Sequence, residues 1–207
     1  RPFCAAMGER AVDASAATAT RIAAVSALVF LVRARGLSLD GDLPLVVEAV
    51  MRPLDPSVPA MREASLTAST TALRELVKRY PMMAFHQVTQ RLGVGTVEGV
   101  VLVYDLRTAT KWRILQGHEH PVSALAFSPV GDQLASVSSH DLTLRWWQAG
   151  STGLFSFLGL QGSCQHVTKL HTLPKAESHV MAIEWTSLSM VTVSCNKQVV
   201  GHYSKGE

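Results

Sequence analysis

The sequence predicts an α + β chain: a helical, solenoid-like segment over residues 1–81, then antiparallel four-stranded sheets over 82–207. Three observations carry that expectation. Before Pro81 the chain is alanine-rich, and its apolar residues recur at intervals of three and four, as along one face of a helix. After Pro81 the apolar period falls to two, the period of a strand. A strand–turn–strand pattern then occurs twice, over 91–105 and over 133–148, with Leu92 and Leu134 42 residues apart and Tyr104 and Trp147 43 apart.

In the helical segment, Ile22, Val25, Val29 and Val32 predict one amphipathic stripe that stops at Gly36. Asp40-Gly41-Asp42 reads as a turn, and Pro44 suits the first turn of a second helix running to Met51, which Pro53 and Pro56 end. A third helix is predicted from about Pro59 to Tyr80, with Leu66, Leu73, Leu76, Val77 and Tyr80 on one side, and Pro81 forbids its continuation. Such helices fit the tail of an α-solenoid or a helical cap equally well.

Strands are predicted over 83–88, 91–96, 100–105 and 111–115, then over 122–127, 133–138, 143–148 and 153–158. A long loop over 159–178 precedes a looser third set, 180–185, 190–195 and 199–203. Ser128-Pro129-Val130-Gly131-Asp132 supplies a tight hairpin: proline fixes φ and glycine accepts a positive one.

A repeat of about 40–45 residues with four short strands is the WD40 blade. The resemblance rests on Gly117-His118, on residues 124–132, and on the two matched strand pairs ending in Tyr104-Asp105 and Trp147-Gln148. It implies two clear blades over about 82–116 and 117–160, and a degenerate one over 176–207. In the WD40 pattern a histidine, a Ser or Thr, an Asp and a Trp share buried hydrogen bonds. His118, Ser138, Asp141 and Trp147 are the residues assigned those roles in the second blade, with one residue more than usual between Ser138 and Trp147. In the first blade Thr96 stands for the serine, Glu98 sits at the turn and Tyr104 replaces the tryptophan; the third keeps Cys195 and Tyr203, with Asn196 near its turn.

A second resemblance is more specific. Leu73-Arg74-Glu75-Leu76-Val77-Lys78-Arg79-Tyr80-Pro81, Ala84-Phe85-His86, Thr89-Gln90-Arg91-Leu92, Val94-Gly95-Thr96, the run from Val103 to Thr110, and Trp112-Arg113 are similar to the C-terminal region of the rabconnectin-3 beta family. That likeness covers about 65–148 and departs most over 149–178. It implies a large cytoplasmic scaffold, peripheral on endosomal and secretory vesicles. Its implied partners are an alpha-like subunit and subunits of the vacuolar proton ATPase, whose assembly and acidifying activity it regulates. The alternative from another class is a WD40 substrate adaptor for a complex such as a ubiquitin ligase.

Composition constrains the rest. Charged residues make up 17% and hydrophobic ones 47%, enough for a packed core. The net charge of +3 comes with no Lys/Arg run, so no nucleic-acid partner is predicted. Cys4, Cys164 and Cys195 form neither an even framework nor a Cys-x-x-Cys pair, which points to a reducing compartment. The most apolar run, residues 22–32, has eleven residues where a bilayer span needs about 20. It also lies too late for a signal peptide. The opening Arg-Pro-Phe-Cys lacks an initiator Met, so the chain reads as the end of a longer polypeptide.

No cofactor and no metal site is predicted. His118 reads as a structural donor, and His120 and His140 as loop residues on one rim without a matching ligand set. Cys164 with His166, His171 and His179 lacks a second cysteine nearby. Gly93-Val94-Gly95 precedes no helix, so it forms no phosphate cradle. Ser138, His140 and Asp141 sit too close on one hairpin to converge as a triad. The chain is therefore expected to be non-catalytic. Trp146, on the opposite strand face from Trp147, is expected against a neighbouring blade.

Overall fold

The computed structural model describes residues 18–33, 39–150 and 164–205. The chain divides into two compact units, residues 1–79 with 104–111, and residues 80–103 with 112–207.

The first unit holds α1 (Thr18–Arg33), α2 (Leu43–Met51), a 3-10 turn (Arg52–Leu54) and α3 (Pro59–Arg79). Pro44 occupies the first turn of α2, where its missing N–H costs nothing, and Lys78 and Arg79 close α3 where the helix dipole favours cations. The buried side of α3 is Met61, Ser65, Ser69, Ala72, Leu73 and Leu76. Leu66 is 46% exposed, so its expected place beside Leu73 and Leu76 is corrected: it lies one residue, about 100° of helix turn, off the stripe 61/65/69/72/76. α1 packs against α3, with Ala24 and Val25 against Ala68. Ser65 Oγ is satisfied by the carbonyls of Met61 at 2.7 Å and Pro53 at 3.2 Å. Val25 is buried as expected, while the side chains of Val29 and Val32 fall outside the described residues. The helices, of 16, 9 and 21 residues, form no repeated pair among the described residues. Residues 104–111 complete this unit. Glu48 Oε1 accepts from Tyr104 Oη at 3.0 Å and pairs with Lys111 Nζ at 2.8 Å, while Arg62 donates to the carbonyls of Leu54 and Arg107.

The second unit is built from antiparallel sheets. β1 (Met83–His86), β2 (Arg91–Gly95), β3 (Val100–Asp105) and β4 (Thr110–Gln116) form the first, in sequential order. β5 (Ala124–Phe127), β6 (Gln133–Ser138), β7 (Thr143–Gln148) and β8 (Cys164–Lys169) form the second in the same manner. β9 (Met181–Trp185), β10 (Met190–Cys195) and β11 (Gln198–Ser204) form the third.

One strand is misplaced by the sequence reading. The second sheet's fourth strand is Cys164–Lys169, inside the predicted loop, so this sheet runs past the expected boundary at 160; the expected strand over 153–158 lies outside the described residues. β8 pairs with β7 from Thr143↔Lys169 to Trp147↔Cys164. Its alternation is half-buried against exposed, with Val167 its only aliphatic residue, so an edge strand hides in a polar sequence.

Two apolar layers lie between the sheets. Val101, Val103, Leu115, Val122, Leu125, Leu134 and Trp147 fill the first. Ala135, Val137, Leu144, Trp146, Met181, Val191, Val193, Cys195 and Tyr203 fill the second. The period of two along β7 sends Trp147 into one and Trp146 into the other. The β5–β6 hairpin turns at Gly131, φ +77°, where a Cβ would sit 2.3 Å from the His86 ring.

Candidate functional site

The strongest sequence motif folds into a buried polar chain in the second sheet. The β6–β7 register pairs Leu134 with Trp147, Ser136 with Arg145 and Ser138 with Thr143, so all six side chains share one face. Trp147 Nε1 donates to Ser136 Oγ at 2.8 Å, and that oxygen lies 2.8 Å from His118 Nε2. His118 Nδ1 is 3.0 Å from Asp141 Oδ2 and 3.1 Å from Thr143 Oγ1. Thr143 also donates to Asp141 Oδ1 from its amide, at 2.9 Å, and its hydroxyl, at 2.6 Å.

The partners assign the protons. Ser136 Oγ accepts from the indole, so its own hydrogen goes to His118 Nε2; the imidazole is then neutral and donates from Nδ1 to the carboxylate. Every donor in the chain meets one acceptor. Burial pushes the His118 pKa below its ordinary value, with Arg145 adding to the effect, against the pull of Asp141 and Ser136. Burial opposes ionisation of Asp141 as well, but the hydrogen bonds from Thr143 and His118 outweigh it and hold its carboxyl below the usual range.

His118, Asp141 and Trp147 are thus brought together, and Ser138 is not. The serine in the chain is Ser136. An indole nitrogen on Trp147 reaches one diagonal neighbour across the ladder, whereas Ser138 sits a further pair away, opposite Thr143. Ser138 Oγ instead accepts from the His140 amide at 3.4 Å. In this loop Leu142 adopts φ +53°, and Asp141 still reaches His118 despite the extra residue.

The first sheet does not repeat the arrangement. Thr96 Oγ1 accepts from the amides of Glu98 and Val100, both at 3.2 Å, and serves the β2–β3 turn. Tyr104 does not take the tryptophan's role. Val101 and Val103 face the second sheet, so Tyr104, the next residue on a strand of period two, faces the other way and donates to Glu48. The third sheet buries Cys195 in its core, where burial raises the thiol pKa. Tyr203 Oη accepts from the His171 amide at 3.1 Å, and Asn196 Oδ1 accepts from the Val180 amide at 3.0 Å. Trp146 is fully buried and meets Trp185 edge-on, 5.2 Å between centroids.

A clamp absent from the sequence reading joins the first two sheets. The guanidiniums of Arg91 and Arg113 lie 3.6 and 3.9 Å from the Trp112 ring centre. Arg113 donates to the carbonyls of Gln148 at 2.6 Å and Gly150 at 3.0 Å, and Arg91 donates to that of Ala149. Burial and the neighbouring Arg91 charge lower the Arg113 pKa. The signal was an arginine alternating with apolar residues on a strand, which marks an inward charge with a partner.

Residues 109–148 match the family described as WD domain, G-beta repeat. Pre-mRNA-processing factor 19 of Oryza sativa subsp. japonica is 37% identical over 59 residues, a stretch that spans 28% of this chain and 11% of that protein. Among solved structures, Hsv2 of Kluyveromyces marxianus is similar at TM-score 0.45 and 19% identity, covering 56% of this chain and 36% of that one. The structure of U3-55K is similar at TM-score 0.41 and 20% identity, covering 54% and 29%. The family match ends at Gln148, the last residue of β7, and contains Asp141, His118, Ser136 and Trp147. Over residues 109–148 the chain thus carries a match to a WD repeat, set within consecutive antiparallel sheets.

Proposed function

We propose that this chain is a non-catalytic scaffold acting on endosomal and secretory membranes, where it regulates assembly of the vacuolar proton ATPase and vesicle acidification. One observation carries the scaffold part. Among the described residues, Asp141, His118 and Ser136 resemble a catalytic constellation, and they are spent inside the sheet: both imidazole nitrogens are engaged, and His118 and Ser136 are buried. Such a chain rigidifies a platform, and its own hydroxyl and imidazole are taken up by its internal bonds.

The choice of complex rests on the residue likeness over 65–148 to the rabconnectin-3 beta family. That likeness implies an alpha-like partner subunit and proton-pump subunits. It also implies a large scaffold with WD repeats at both ends and a helical region between them. Attachment to the membrane is then indirect, through partners, on the cytoplasmic face; among the described residues no helix is long and apolar enough to cross a bilayer.

Affinity capture of the full-length protein from detergent-solubilised membranes tests this reading. Proton-pump subunits are the expected companions. Recovery of cullin or other ligase subunits in their place would overturn it in favour of a substrate adaptor.

A further inference from the structure

The WD repeat's internal bond has an external consequence. His120 and His140 are 20 residues apart in sequence, yet their rings come within 6.1 Å, centroid to centroid, with planes tilted by 36°. Both side chains are exposed. They meet because the buried His118–Asp141 contact of 3.0 Å clasps their loops: His120 is two residues from His118, and His140 precedes Asp141. Each loop is held again from below. A Cβ on Gly99 would lie 2.3 Å from the His118 carbonyl oxygen and 2.9 Å from that of His120, and Ser123 Oγ, 3.0 Å from Ser139 Oγ, also accepts from the Ser139 amide at 3.0 Å.

We propose that His120 and His140 form a two-imidazole chelate for a divalent transition-metal ion of the zinc, nickel or copper class, with water completing the coordination. An imidazole nitrogen sits about 2.0–2.1 Å from such an ion, which puts each ring centre about 3.2 Å away and the two centres about 5–6.4 Å apart. The observed 6.1 Å corresponds to an open N–metal–N angle of about 145°, and rotation of the two exposed rings is what closes it to the tetrahedral spacing of about 5.2 Å. Glu119 lies between His118 and His120 in sequence, and Glu98 precedes the Gly99 that packs beneath them, so the loops that carry the pair also carry two carboxylates. Among the described residues no three His, Cys, Asp or Glu side chains gather, which leaves this pair open to solvent on its other positions. Imidazole ligands rank the ions copper above nickel and zinc, and give magnesium no hold. The sequence reading expected no metal because the spacing fits no ligand motif; the juxtaposition exists only through the β6–β7 register and the clasp.

Zinc chloride titrated into the full chain at neutral pH, followed by histidine ring signals in NMR, tests the chelate. The His120 and His140 signals should move together along one saturating curve while His86, His171 and His202 stay fixed, and magnesium should move none. The variants H120Q and H140Q should each weaken zinc binding by at least about tenfold. Movement of only one ring, an equal response to magnesium, or an unchanged midpoint in the double variant would each overturn the proposal.

Discussion

The first and second sheets are both four-stranded, sequential and antiparallel, yet they solve the problem of buried polarity differently. The second threads Asp141, His118, Ser136 and Trp147 through its interior. The first has no such thread: Thr96 serves its own turn, Tyr104 points to the opposite face, and polarity enters through Arg91 and Arg113, stacked on Trp112 and bonded to carbonyls at the end of β7. The two sheets thus match buried donors with different sets of residues. The thread is one solution and the arginine clamp another.

Substitutions should expose that difference. Trp147→Ala removes the largest side chain of the layer between the two sheets and the donor to Ser136; a loss of about 3–5 kcal/mol is expected, read as a fall in urea midpoint. Ser136→Ala keeps the packing but orphans the indole and the imidazole, and should cost about 1–3 kcal/mol. Ser138→Ala, one ladder pair away, should cost no more than about 1 kcal/mol. Equal losses in the two serine variants would return the role to Ser138. In the first sheet, Thr96→Val deletes an acceptor for two amides that water can still reach, and about 1 kcal/mol is expected.

Acid should produce the smallest and most selective effect. The folded-state pKa of His118 lies below its ordinary 6.5, so its contribution is present above that pH and is lost as pH falls toward the folded value. Asp141 acts in the same direction at lower pH, its stabilisation present above an ordinary 3.8 and lost below it. Amide exchange compared between pH 7 and 5 in one sample should quicken in the second sheet relative to the first. A uniform change would remove His118 as the cause.

Much of this architecture was legible beforehand, for reasons that differ by residue. Trp147, His118 and Asp141 stand out because large or ionisable side chains sit at fixed offsets from alternating strands. The serine was misassigned because Ser136 and Ser138 share one face, and only the pairing of Leu134 with Trp147 shows which lies within reach. β8 was missed because a half-exposed edge strand has little apolar contrast to betray it. The arginine clamp and the meeting of His120 with His140 are contacts of distant sequence. No local pattern encodes them; they follow from register.

Trp146 and Trp147 are consecutive residues, and each fills a different interior. A one-residue slip of β7 would exchange their faces, so neither layer can loosen by sliding while the other stays intact. The strand thereby couples the packing of the three sheets, one indole anchored in each interior, and its register is fixed from both sides at once.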